Sequence, residues 1–217
     1  MKVLLINGSP HEAGCTHAAL AEAARVLRGE GIETELIHGA AQPVRGCVGC
    51  GGCAGPHRCV YDDDVVNRCI EALAAADGLI VGSPVYYASP NGALLCLLDR
   101  LFYAGGCHAA HKPAAAIVSA RRAGTTASLE VLNKYFALAQ MPLVSSTYWP
   151  MVHGQRAEDV AADLEGMQTV RNLARNMAWL LRCIEAGLRR AHELHPLNGR
   201  GARRAPRRAR DSLCAFL

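Results

Sequence analysis

A chain of 217 residues, 51% of them hydrophobic, has enough apolar surface for one core of ordinary domain size and at most two. No apolar run is long enough for a membrane-spanning helix, because Asp99 and Arg100 interrupt the most apolar stretch, ALLCLLDRLF. The net charge of +4 sits at one end: residues 196–217 hold six arginines and one aspartate, which leaves 17 basic against 18 acidic residues in 1–195, so the body is not expected to present a nucleic-acid or membrane surface.

In chain order, Lys2–Asn7 (KVLLIN) is an apolar run too short for a signal-peptide core, and it reads as a first strand of a cytoplasmic protein. Gly8-Ser9-Pro10 ends it. Thr16–Leu27 repeats alanine and leucine at helical spacing and stops at Gly29. Glu33–Ile37 is a brief second strand, followed by a loop rich in cysteine. Asp62-Asp63-Asp64 is expected to cap a helix over Val65–Ala75. Gly78–Gly82 is a buried strand, Asn91–Phe102 a helix, Ala114–Ser119 another buried strand, and Ser128–Ala139 an amphipathic helix. Pro142–Thr147 reads as a fifth strand. Ala157–Leu194 carries a long helical pattern expected to break near Gly166.

Residues 196–217 (PLNGRGARRAPRRARDSLCAFL) lack an apolar face and read as a basic, disordered tail on a body of 1–195. An electrostatic arm is the functional alternative. The final Cys214-Ala215-Phe216-Leu217 formally fits a prenylation box, although matches of four residues are common by chance.

Strands alternating with helices imply an α/β fold with a parallel sheet covered on both faces. Five strands suit the flavodoxin-like order 2-1-3-4-5, in which ligands bind beyond the carboxyl ends of the strands at the switch point between strands 1 and 3. That rule selects the loops after Asn7, Gly82 and Val118.

The cysteine loop carries the most specific signal. Cys47, Cys50, Cys53 and Cys59 have the spacing C-x2-C-x2-C-x5-C, with glycines between them. Three thiolates so spaced can fold round one face of a cubane cluster and a fourth can close it. Structural zinc, disulfides and a metal-free loop are the alternatives. Cys69, Cys96 and Cys183 fall in apolar helical patterns and are expected in the core.

The first loop, Gly8–Thr16, opens directly onto a helix, so its amides and the hydroxyls of Ser9 and Thr16 can cradle an anion. It is neither a Walker loop nor GxGxxG, and a plain strand–loop–helix cap would look similar. The second loop, Ser83–Gly92, offers the flat faces of Tyr86 and Tyr87 between two prolines, as a planar ligand or an ordinary interface would need. The third places Arg121 and Arg122 at a strand end, where they can meet negative charge or solvent.

The GSP-x5-T loop, the SPVYY segment and the four-cysteine loop together resemble the NAD(P)H-dependent FMN reductases of flavodoxin-like fold, and more narrowly the iron–sulfur flavoproteins. The resemblance covers roughly residues 1–195. It implies FMN and a [4Fe–4S] cluster as cofactors, with Cys47, Cys50, Cys53 and Cys59 as cluster ligands. Ser9, His11, Cys15, Thr16 and His17 would surround the FMN phosphate. Pro84, Val85, Tyr86, Tyr87 and Asn91 would line the isoalloxazine, and Ser119, Arg121, Arg122 and Gly124 would close its far edge. Cys15 departs from the asparagine common in the family, and the third loop from its glycine-rich form.

The flavin would carry the chemistry, so no catalytic acid or base is assigned; His153 and Arg121 are candidates for substrate contact. The implied function is electron transfer between a reduced donor, NAD(P)H or ferredoxin, and a small acceptor, in a homo-oligomer. A dedicated dehydrogenase, of the 2-amino-4-deoxychorismate type that aromatises a cyclohexadiene, is an alternative. A non-catalytic FMN-binding or zinc-stapled interaction protein is another.

Overall fold

The structure is a computed structural model that describes the backbone of residues 1–194 and the side chains of residues 1–190. The expectations for the tail from residue 196 lie outside the described residues. The strands are β1 (Lys2–Asn7), β2 (Glu33–His38), β3 (Gly78–Tyr86), β4 (Ser89–Pro90), β5 (Ala114–Ala120) and β6 (Met151–His153). The α-helices are α1 (Cys15–Gly29), α2 (Val66–Ala75), α3 (Gly92–Gly105), α4 (Thr125–Leu138), α5 (Ala157–Ala162) and α6 (Leu164–Leu194).

The parallel sheet runs β2-β1-β3-β5-β6, and β4 only folds back antiparallel on the end of β3. Without that two-residue hairpin the order is the flavodoxin-like one. Side chains alternate across the sheet, as period two demands. Leu4, Ile6, Leu79, Val81, Ala116 and Val118 pack under α2, α3 and α4, whereas Val3, Leu5, Ile80, Ala115 and Ile117 pack under α1 and α6. Burial on both faces is why the central strands read as unbroken apolar runs.

The fifth strand differs from its expected position. Around Pro142–Thr147 the chain makes one parallel bridge, Leu143 to Ala114, and then leaves the sheet. Helix α6 draws it away: Asn176 Nδ2 donates to the Ser145 carbonyl at 2.9 Å, and Ser146 Oγ donates to the Thr169 backbone carbonyl at 2.7 Å. The chain returns to pair Met151–His153 with Val118–Ala120.

Three smaller expectations also shift. The cap of α2 is Val65, and Asp64 serves it from one residue earlier, with Oδ1 accepting from the Val66 N–H at 3.1 Å. The long helical pattern breaks at Asp163, whose Oδ1 accepts from the Gly166 N–H at 2.9 Å and so caps α6. Cys69 is buried and Cys96 half-buried, but Cys183 is exposed. The buried stripe of α6 follows Val170, Leu173, Ala174, Met177, Ala178 and Leu181, and residue 183 is turned off it.

Candidate functional site

Three loops meet beyond the carboxyl ends of β1, β3 and β5. Asn7 ends β1 fully buried, and its side chain shapes the first loop. The Ser9 N–H donates to Asn7 Oδ1 at 3.0 Å, and Asn7 Nδ2 donates to the Glu12 carbonyl at 3.5 Å. The Gly8 N–H donates to the Gly82 carbonyl at 2.8 Å, and Asn91 Nδ2 donates to the Gly8 carbonyl at 2.7 Å, so the second loop holds the first from two sides. The hydroxyls of Thr16 and Ser119 lie 2.8 Å apart and join the first loop to the third. His38, ending β2, adds a fourth tie through Nε2, which donates to the Ser9 carbonyl at 2.6 Å.

The hydroxyls of Ser9 and Thr16 are turned inward rather than displayed. Ser9 is 3% and Thr16 1% exposed, and Ser9 Oγ accepts from the His11 N–H at 3.1 Å. They brace the cradle, and the first amides of α1, which have no acceptor within the helix, are donors at its mouth. Gly14 caps α1 without a side-chain bond, and no acidic residue stands in its first turn. The positive end of the helix therefore faces the loop unneutralised by α1 itself. His17 Nδ1 is buried with no hydrogen-bond partner among the described residues, and His11, six residues earlier, is exposed. Free amides and an orphaned imidazole nitrogen fit a phosphate group.

Burial pushes the Cys15 thiol up, and the carboxylates of Asp159 and Glu158 add to the shift against the opposing pull of its own backbone. A thiol so held stays neutral near pH 7 and adds no negative charge to the cradle. Its Sγ donates to the Gly154 carbonyl at 3.6 Å, which brings the end of β6 against the first loop. His153 stands there half-exposed, its amide donating to Asp163 Oδ2 at 2.7 Å and its ring 3.8 Å from the same oxygen.

In the second loop Pro84 and Val85 are half-buried, and Tyr86 and Tyr87 are exposed. Val85 pairs with Pro90 and Tyr86 with Ser89, so Tyr87 and Ala88 form the turn of a two-residue hairpin. Both central residues have positive φ, 51° and 57°, as the type I′ form of such a turn requires. Asn91 then caps α3, with Oδ1 accepting from the Ala93 N–H at 3.1 Å. The third loop packs on this hairpin through Gly124, where an added Cβ would stand 2.7 Å from Ala88 Cα. Arg121 and Arg122 are exposed, and neither has an ion-pair partner among the described residues.

The four loop cysteines line a single cavity together with Val48, Val60, Tyr61, Arg100 and Tyr103. Cys47 and Cys50 are exposed, Cys53 and Cys59 half-buried, and all the described cysteines are free thiols. Burial pushes the Cys53 thiol up, and the charges of Cys47, Cys50 and Cys59 push it the same way against its own backbone. The sulfurs of Cys47, Cys50 and Cys59 therefore each lie within electrostatic reach of Cys53. Among the described residues no group of three or more His, Cys, Asp or Glu side chains is arranged to hold a single metal ion. Gly49 and Gly51, at φ of 64° and 71°, give the loop the two left-handed turns that place Cys50 between them.

Sequence reasoning missed Asn7, His38, Asp64 and Arg100. The first two end strands beside the site, which is the one signal available for them. Arg100 had a stronger one, a lone arginine on the inward face of an apolar helix, and it reads from sequence only as a break in hydrophobicity.

A family model described as NADPH-dependent FMN reductase matches residues 1–156. An iron–sulfur flavoprotein of Methanocaldococcus jannaschii is 31% identical over 85% of this chain and 100% of its own length. An iron–sulfur flavoprotein of Methanosarcina thermophila is 28% identical over 85% of this chain and 97% of its own. Among solved structures, the flavodoxin and WrbA-like protein from Agrobacterium tumefaciens superposes with a TM-score of 0.58 at 16% identity, over 84% of this chain and 98% of its own, which is a likeness of fold.

Proposed function

The chain belongs to the NADPH-dependent FMN reductase family, and from that premise we propose that it is an FMN-dependent oxidoreductase that also holds a [4Fe–4S] cluster. The observation that carries the flavin is the junction of three strand-end loops over the start of α1, whose own first turn carries no acidic residue. What a bound FMN supplies is hydride acceptance, and what a cluster supplies is single-electron transfer.

The chain's own part is binding and placement. The amides at the start of α1 and His17 Nδ1 hold the phosphate, with Ser9 and Thr16 bracing the loop from behind. Pro84, Val85, Tyr86 and Tyr87 present a stiff apolar wall for the ring, fixed by Asn91 on Gly8. Arg121 and Arg122 face the far edge as uncompensated positive charge, suited to a reduced flavin or an anionic donor such as NAD(P)H. Cys47, Cys50, Cys53 and Cys59 fit a cluster in number, spacing and shared cavity. Helix α3 links the two sites: its cap Asn91 holds the first loop, and Arg100, nine residues on or about 14 Å along the axis, touches the cysteine loop.

The test is to purify the protein anaerobically, count FMN, iron, sulfide and zinc, and mix it with NADPH or NADH. Stoichiometric FMN, matched iron and sulfide, and rapid bleaching of the flavin band are expected. Zinc in place of iron would remove the cluster, and absence of flavin would remove the whole reading. The same free arginines favour one second reading, a dehydrogenase acting on a carboxylated cyclohexadiene, which a substrate screen against the bound flavin would separate.

A further inference from the structure

Arg100 is 2% exposed in the middle of α3, flanked along the helix by the buried Leu97, Leu98, Leu101 and Phe102. A buried guanidinium persists only where its charge and its donors are met. Here Nη1 is ion-paired with Asp64, whose side chain is 5% exposed, and also donates to the Arg45 carbonyl at 3.1 Å. Nη2 donates to the Tyr61 carbonyl at 3.1 Å, and Nε donates to Cys59 Sγ at 3.2 Å. Burial works against the charge, and the ion pair with the Asp64 carboxylate offsets it.

The three loop partners are not scattered. Arg45 lies two residues before Cys47, and Tyr61 two residues after Cys59. Arg100 therefore clasps both stems of the cysteine loop at once, and its remaining donor direction falls on a sulfur of the proposed ligand set. Outside the clasp the two stems also meet each other, with the Arg45 guanidinium 4.6 Å from the centre of the Tyr61 ring.

We propose that Arg100 is a positioning residue for the iron–sulfur loop, and that its N–H···S bond to Cys59 and its buried charge raise the reduction potential of the cluster. The inference rests on the cluster reading given above. Hydrogen bonds to ligand sulfurs and nearby charge are the protein's main levers on such potentials. Reduction adds one electron to the cluster, so a positive neighbour stabilises the reduced form and a negative neighbour opposes it. Asp64 therefore works against Arg100 on the potential while holding it in place.

The experiment compares wild type with Arg100→Lys, Arg100→Gln and Asp64→Asn, each purified anaerobically with its cofactors. Iron and sulfide are counted, and the cluster is titrated by electron paramagnetic resonance against a potentiostat. Arg100→Gln is expected to lower the midpoint by about tenfold in the reduced-to-oxidised ratio, about 59 mV for one electron. Asp64→Asn is expected to raise it, and Arg100→Lys to fall between Arg100→Gln and wild type. Opposite shifts at two partners of one ion pair are not produced by loosening the loop. Should Arg100→Gln fail to fold, the signs for Arg100→Lys and Asp64→Asn decide the matter. Midpoints equal to wild type in both would overturn the role of Arg100 and leave the cluster standing, whereas wild type without iron and sulfide would overturn the cluster reading and this inference with it.

Discussion

Gly124 joins the third loop to the hairpin of the second, and replacing it isolates what that junction contributes. Its φ of 101° and ψ of 2° lie where a side chain is strained, by roughly 1–2 kcal/mol. A Cβ there would also stand 2.7 Å from Ala88 Cα and 3.0 Å from Val85 Cγ1. The first of these is backbone and cannot rotate away, so overpacking adds about 1–3 kcal/mol. Gly124→Ala should thus lose about 2–5 kcal/mol of stability, and roughly 2–4 °C in melting temperature for each kcal/mol in a chain of this size. The wall formed by Pro84, Val85 and Tyr86 would move with the hairpin, so FMN affinity should fall at least tenfold. Gly92→Ala is the matched control. Gly92 opens α3 beside the same site, nothing lies within 4 Å of its added Cβ, and alanine favours the helix by up to about 1 kcal/mol. Urea unfolding and quenching of flavin fluorescence on binding measure both quantities. A Gly124→Ala protein as stable as Gly92→Ala, with FMN bound as tightly, would refute the argument that the loops pack as one unit.

Three further outcomes are expected. Thr16→Val leaves the buried Ser119 hydroxyl without its partner and should lose about 1–3 kcal/mol in urea unfolding, whereas Thr16→Val with Ser119→Ala should recover most of it; a double variant no better than the single one would show that the hydroxyl pair is not the cause. Ala88→Gly relieves a positive φ of 57° and should gain up to about 1 kcal/mol, read as a raised melting temperature without flavin. Cys50→Ala should abolish iron and sulfide incorporation yet leave FMN bound, since no contact of the first loop runs through residue 50; loss of both cofactors on elemental and flavin analysis would show that the sites fold as one.

Much of this protein was legible in its residues, for identifiable reasons. The strands of the sheet centre are buried on both faces, so KVLLIN, GLIVG and AAAIVS stand out as apolar runs without any partner being known. Alternation with helices then forces a parallel sheet, and a parallel sheet puts its binding loops at the carboxyl ends, which selects the loops that meet in the structure. The spacing of Cys47, Cys50, Cys53 and Cys59 is local, so it too could be read directly. What the sequence could not supply depends on partners distant along the chain. Pro142–Thr147 has the composition of a strand, but Thr169, Asn172 and Asn176 of α6 claim its polar groups, and the sheet pairs with Met151–His153 instead. Ser9 and Thr16 read as phosphate ligands from sequence, but that their hydroxyls also bond the His11 amide and the Ser119 hydroxyl is shown only by the fold. Arg100 is the plainest case. Period and composition mark it as an interruption, and only the fold, by bringing Arg45, Cys59, Tyr61 and Asp64 from the other side of β3 in the sequence, supplies the charge and acceptors that let an arginine stay buried there.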